Sequence, residues 1–220
     1  MNTELKGKIF TVFLDFDNTI STNDVLDDML ERFSADDNWM RLEDKWKKGE
    51  IGSRECLKGQ VEGLRMTKKD LDKYLLTVQI DPYFGKLLDF LNDKKIRTMI
   101  LSDNFDYILG RILNNFGVAG LEVYSNKIDL AEDRLKPSFP LSNKDCGGCA
   151  HCKKTTLLGK LRKDEMSIYA GDGRSDLCAS SVADIVFAKD YLKEHCRQKG
   201  IAHIPIEGLK DIYDYLKEKL

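Results

Sequence analysis

No stretch of this chain holds the roughly 18 consecutive apolar residues that a membrane span requires. The opening residues, Met1 to Lys8, are polar and lack the apolar run of a signal peptide. Net charge is nearly absent: 35 basic and 37 acidic side chains leave -2. That balance gives no long-range pull toward nucleic acid or an anionic membrane, so an anionic ligand has to be held by a local site. Repeats and low-complexity tracts are missing. The six cysteines are too few and too unevenly placed for the disulfide framework of a small secreted domain. The expectation is a cytoplasmic, globular protein whose partner is a small molecule, with neither nucleic acid nor membrane. Nothing in the sequence speaks to its oligomeric state.

What is there is a chain of 220 residues, 42% hydrophobic, long enough for one core plus a small appended domain. Lys8 to Asp15 (KIFTVFLD) is a short β-rich run that ends on an acid and predicts a buried strand. From about Asn23 to Gln79 the pattern is helical. Thr67 with Asp70 has the signature of a capping box, and Ser53 is a second candidate cap. Phe33, Trp39, Trp46, Leu57, Val61 and Leu64 are spaced as apolar helix faces and predict a bundle core. Pro82 opens a further helix. Ile96 to Ser102 then reads as a strand, FDYILGRILNNF as a helix, and the surroundings of Val123 as a short strand. Residues 126–150 look irregular. A helix from Lys154 leads to the strand MSIYAGD, and ADIVFA and AHIPI are two more strands around the helix DYLKEHCRQK. LKDIYDYLKEKL closes the chain as a helix.

Strands alternating with helices imply an α/β fold, a parallel sheet covered on both faces. The helical block after the first strand breaks that rhythm and predicts an inserted cap. The expected boundaries are 1–20 and 81–220 for the core, 21–80 for the cap, and 126–152 for an irregular cysteine-containing insertion.

Ligands of an open parallel sheet bind beyond the carboxyl ends of its strands. Here the first strand ends in Asp15-Phe16-Asp17-Asn18-Thr19 and the second in Ser102-Asp103-Asn104. The fourth ends in Gly171-Asp172-Gly173-Arg174-Ser175-Asp176. One Asp at a strand end is commonly a turn or a helix cap. Three acidic turns at three strand ends are better read as a cation site, because crowded carboxylates do not all ionise alone. Hard oxygen ligands with open positions suit Mg²⁺, which keeps waters and binds substrate phosphate.

These motifs carry a resemblance. DFDNT looks like the first motif of haloacid dehalogenase superfamily phosphatases, the run ending at Ser102 like the second, and GDGRSD like the fourth. The likeness covers essentially the whole chain, including a helical cap between the first two motifs, and lies with the phosphoserine phosphatase-like branch. It implies a Rossmann-like, doubly wound core and a Mg²⁺-dependent phosphomonoesterase. Asp15 would be the nucleophile that becomes an aspartyl-phosphate, and Asp17 the general acid and base. Asp15, the backbone carbonyl of Asp17, and Asp172 would hold Mg²⁺. Ser102, Asp103 and Lys153 would contact the phosphoryl group. Asp176 would support the metal or orient Lys153. For the third-motif lysine, Lys153 is chosen and Lys136 in LKPSFP is the alternative.

Phosphoserine phosphatases carry a cap glutamate and, further on, an arginine that grips the substrate carboxylate. Asp24 aligns with the glutamate as a substrate contact and Gln60 falls near the arginine, with Arg54 or Arg65 as substitutes. Losing a bidentate clamp would weaken recognition of a free amino acid. The run FAKDYLKEHCRQKGIAHIPI, Asn23-Asp24 and a CxxCK segment resemble the methionine-salvage branch, phosphatases of hydroxy-keto-methylthiopentenyl phosphate. Asp103-Asn104 departs from that branch, which usually has glycine after the serine. Phosphoserine, phosphocholine and phosphoethanolamine phosphatases stay open as alternatives, as does a phosphotransferase or phosphomutase built on the same acids.

Cys146, Cys149 and Cys152, with His151 between the last two, pack three thiols and an imidazole into seven residues. One reading is a structural Zn²⁺ with His151 or a distant residue as fourth ligand. The other is a tight Gly-rich loop of reduced thiols that positions Lys153.

Overall fold

The computed structural model describes Leu5, residues 7–131 and residues 134–220. The rest, which includes part of the polar N-terminal stretch and two positions of the 126–152 segment, lies outside the described residues. The strands are β1 (Ile9–Leu14), β2 (Arg97–Phe105), β3 (Glu122–Ala131), β4 (Arg134–Ser138), β5 (Glu165–Gly171), β6 (Ile185–Ala188) and β7 (Ile204–Pro205). They form a seven-stranded sheet in the order β4-β3-β2-β1-β5-β6-β7. The helices are α1 (Val25–Phe33), α2 (Asn38–Lys47), α3 (Ser53–Glu62), α4 (Lys68–Leu75) and α5 (Phe84–Asp93). They continue as α6 (Asp106–Asn115), α7 (Lys153–Lys160), α8 (Leu177–Ser180), α9 (Asp190–Lys199) and α10 (Leu209–Lys219). The fold is α/β, with a mostly parallel sheet.

The chain divides into two compact units. The first takes in the chain to Thr22, then Ile80–Leu101 and Lys153–Leu220. In it β1 pairs in parallel with β5, Leu14 opposite Ala170, and with β2, Leu14 opposite Ile100. β5 pairs with β6, and β6 with β7, in the same sense. Phe10–Leu14, Ser167–Gly171 and all of β6 are buried on both faces, which is why these strands read as apolar runs rather than as alternations. Val186, Ala188, Leu192 and Cys196 form a small core against α9. That helix ends where Gly200 turns left-handed at φ 67° and Ile201 N–H reaches back to the Cys196 carbonyl, a glycine-terminated C-cap. Asp81 ties two helix starts together, accepting from Tyr83 N–H and from Leu209 N–H.

The second unit joins Asn23–Gln79 with Ser102–Cys152. Asp24 caps α1 by accepting from Asp27 N–H at 2.9 Å, and Thr67 with Asp70 closes the capping box of α4. Ser53 is not a cap. It is the first residue of α3, and its hydroxyl accepts from Ala150 N–H at 2.8 Å. Of the predicted bundle core, Val61 and Leu64 are buried, whereas Phe33, Trp39, Trp46 and Leu57 are only partly covered. α2 contributes no buried residue, although Leu42 packs so closely on Gly59 of α3 that a Cβ there would collide with it.

The stretch after Val123 is more ordered than its composition suggests. β3 runs on to Ala131 and pairs antiparallel with β4, from Lys127 opposite Ser138 to Leu130 opposite Leu135. Asn126 and Ile128 are buried while Lys127 and Asp129 are exposed. This is a ribbon with one wet face, whose period of two is masked by charged residues.

Candidate active site

Parallel register delivers the acids of the first unit to one edge. Leu14 opposite Ala170 brings the ends of β1 and β5 level, and Asp15 N–H donates to the Ala170 carbonyl at 2.9 Å. Asp15 therefore leaves β1 beside Gly171 and Asp172. The chain turns at once, with Thr19, Ile20 and Ser21 N–H groups all directed to the Phe16 carbonyl. Asn18 sits at φ 53° in that turn, a conformation Asn tolerates. Its amide donates to Asp172 at 3.0 Å and to Asp190 at 3.1 Å, linking the two acidic ends. Asp17 is half-buried one step before it.

Lys153, the first residue of α7, is the hub. Its side chain is 1% exposed, unusual for lysine unless it is paired. Nζ donates to Asp15 Oδ1 at 2.5 Å, to Asp176 Oδ1 at 2.6 Å and to Ser175 Oγ at 2.8 Å. Asp176 is held from the other side. Tyr169 O–H donates to Oδ1 at 2.5 Å, and the N–H groups of Asp172 and Gly173 donate to Oδ2 at 2.9 Å each. Gly171 is glycine for a steric reason, since a Cβ there would run into the Asp176 carboxylate. Lys136, the alternative lysine, is exposed on β4 in the second unit.

One carboxylate oxygen each from Asp15, Asp172 and Asp176 lies within 4.8 Å of the others. Burial first, then the charge of Asp176 and, more weakly, of Asp172 and Asp17, pushes the Asp15 carboxyl well above the ordinary carboxylate range. Lys153 pulls it the other way without prevailing. Such a set calls for a further cation, and its donors are hard oxygens. Asp176 is poorly suited to be a ligand, because five donors, Ser175 Oγ at 3.5 Å among them, already occupy its oxygens. Asp15 and Asp172 are the side chains that fit a divalent ion.

The second unit holds the remaining expected residues. Ser102 is fully buried; its hydroxyl accepts from Asn104 N–H at 3.0 Å, and its carbonyl lies 3.0 Å from His151 Nδ1. The Asp103 carbonyl accepts from the buried amide of Asn126 at 2.6 Å. Asp24 is exposed at its helix cap. Gln60 is buried and donates to Glu43 at 3.0 Å, while the Arg65 guanidinium caps the carbonyls of Glu62 and Leu64. The three sulfurs of Cys146, Cys149 and Cys152 fall within 4.8 Å of one another, and no disulfide joins them.

Sequence reasoning passed over Tyr169, Ser175, Asn18 and Asp190. Ser175 and Asn18 lie inside the motifs and could have been suspected. Tyr169 offers no signal, because an aromatic in a buried strand is ordinary core.

Residues 10–199 match the family model described as "Putative Phosphatase". A 2-hydroxy-3-keto-5-methylthiopentenyl-1-phosphate phosphatase of Bacillus pumilus is 28% identical over 214 residues, covering 94% of this chain and 92% of that one. The bifunctional enzyme MtnB/MtnX of Bacillus licheniformis is 26% identical over 213 residues; the match takes in 94% of this chain but only 49% of that protein. Among solved structures, a phospho-aspartyl intermediate analogue of phosphoserine phosphatase superposes with a TM-score of 0.71 at 15% identity, covering 94% of this chain and 99% of that one.

Proposed function

The chain belongs to this phosphatase family, and on that premise we propose that it hydrolyses the phosphate monoester of a small molecule through an aspartyl-phosphate on Asp15. The observation that carries the reading is the contact of Lys153 Nζ with Asp15 Oδ1 at 2.5 Å, both side chains buried. A carboxylate in that position has one oxygen oriented by the ammonium and the other left for in-line attack on phosphorus. Lys153 balances charge on the transferring group, and Asp176, fixed by Tyr169 and two backbone N–H groups, holds Lys153 in place. Asp17 protonates the leaving oxygen and then takes a proton from the water that cleaves the acyl phosphate. Mg²⁺ is the ion we assign to Asp15, Asp172 and the Asp17 carbonyl; when bound it offsets phosphate charge. Ser102 and Asp103 keep the phosphate-contact role that the resemblance implies, and Asp24 that of a substrate contact from the cap.

The substrate we place first is 2-hydroxy-3-keto-5-methylthiopentenyl-1-phosphate, because relatives of nearly the same length bear that name. A panel of monoesters including it, phosphoserine, phosphocholine and phosphoethanolamine, assayed with Mg²⁺ and with EDTA, tests the proposal. Inorganic phosphate release without an acceptor is expected. Turnover only when a second hydroxyl compound is supplied would make the protein a phosphotransferase instead.

A further inference from the structure

The loop between β4 and α7 gathers three thiols with more care than a connection needs. Gly147 and Gly148 take φ 61° and 86°, which only glycine adopts freely, and these turns fold the loop back on itself. The Gly148 carbonyl accepts from Arg54 N–H at 3.0 Å, and Gly148 lies so close to Gly52 that a Cβ on Gly52 would collide with it. Ala150 N–H is tied to the Ser53 hydroxyl at 2.8 Å and Cys152 N–H to the Leu141 carbonyl at 2.8 Å. Two backbone anchors on the start of α3 and one on the preceding turn thus set the path of seven residues. Along that path Cys152 is buried and Cys146 and Cys149 are half-buried, with all three sulfurs inside 4.8 Å of one another.

We propose that Cys146, Cys149 and Cys152 bind one Zn²⁺ as thiolates, at a site separate from the carboxylate centre. Tetrahedral zinc with bonds of about 2.3 Å sets its sulfurs about 3.8 Å apart, so the observed grouping needs only a small contraction. Sulfur donors select a soft or borderline ion and discriminate against Mg²⁺. His151 is not the fourth ligand. Its Nδ1 is engaged with the Ser102 carbonyl, and it stands outside the group of converging ligand atoms. The fourth position therefore goes to a solvent oxygen or an added thiol. Binding converts three S–H groups to thiolates and releases three protons to solvent, with no change of oxidation state.

The test uses the full chain, reduced, stripped with a chelator, and then kept in excess Mg²⁺ so that the carboxylates are satisfied. Titration with Co²⁺ should give the visible bands of tetrahedral thiolate coordination, saturating at about one equivalent. Zn²⁺ should bleach them. Cys149→Ser should abolish the bands and Cys178→Ser, outside the loop, should leave them. The wild-type spectrum decides the matter even if Cys149→Ser fails to fold. Absence of thiolate bands in the reduced wild type overturns the proposal, as does a reduced protein that binds no metal but forms a loop disulfide in air. None of these readouts depends on phosphatase activity.

Discussion

The Tyr169 hydroxyl donates to Asp176 Oδ1 at 2.5 Å inside the sheet, where neither side chain is exposed. Burial first, and then the Asp176 charge, hold the phenol far above its ordinary pKa, so it remains a donor at any working pH. Tyr169→Phe removes one hydrogen bond to a buried carboxylate and little volume. The expected cost is about 1–3 kcal/mol in urea unfolding, with Mg²⁺ dependence kept. kcat should drop because Asp176 then fixes Lys153 less firmly, while KM changes little. Unchanged kcat in a destabilised protein would make Tyr169 a purely structural residue.

Asp15 gives a pH prediction for the metal-free protein. Its folded-state pKa stands well above the 3.8 of an ordinary aspartate. Between those two values the folded protein binds more protons than the unfolded chain, so Asp15 lowers stability progressively as pH rises through the window. Asp15→Asn cannot ionise and escapes this penalty. The variant should therefore melt above wild type near neutrality without divalent ions, by about 3 °C for each kcal/mol relieved, and the gap should close toward pH 4. It should also be inactive, since an amide is a poor nucleophile. A metal-free variant that melts below wild type at neutral pH contradicts the crowding argument.

Those two residues mark what could and could not be read in advance. Asp15 and Asp172 stand at the ends of short, largely apolar runs, IFTVFL and MSIYAG, so both the strand and its terminal acid are visible locally. The acids' convergence depends on the parallel pairing of β1 with β5; the alternation of strands and helices implies the parallel sense but not that these two strands are neighbours. Tyr169 differs because its partner is set by how the single 3₁₀ turn at Arg174–Asp176 brings Asp176 back toward β5, and no local pattern encodes that. Only the part of β3 around Val123 is legible; its continuation and β4 are masked because the water-facing positions Lys127, Asp129, Arg134 and Lys136 are charged. Trp39 and Trp46 misled for the opposite reason: apolar spacing on α2 says that a face is apolar, not that a layer covers it.

Divalent ions should be required for turnover. Asp15 and Asp172 offer hard oxygens and leave open positions, which suits Mg²⁺. Dialysis against EDTA should remove activity and Mg²⁺ restore it, while raising the Tm by mass action. Ca²⁺ should inhibit, because its larger and looser coordination shell can take both Asp15 oxygens and spoil attack. Steady-state assays with each ion check this, and full activity in EDTA would remove the metal from the reaction.

The two lysines offer the sharpest discrimination. Lys153 is buried among Asp15, Asp176 and Ser175, whereas Lys136 is exposed on β4. Lys153→Ala removes the ammonium from a buried cluster of acids and leaves Asp15 and Asp176 facing each other. Loss of an electrostatic partner of the transferring phosphoryl group should lower kcat/KM by about 100-fold or more. Stability should suffer as well, by about 3–5 kcal/mol, because breaking a buried pair strands its partner. Lys153→Arg should not rescue, since a planar guanidinium cannot take the place of a point charge with three converging acceptors. Lys136→Ala, by contrast, should stay within about twofold of wild type, as expected of an exposed side chain on an edge ribbon. Low stability can itself depress activity, so kcat/KM should be measured at a temperature where circular dichroism shows both variants folded. A folded Lys153→Ala enzyme with near-normal kcat/KM, beside a crippled Lys136→Ala, would transfer the phosphate-binding role to β4 and leave Lys153 a structural cation.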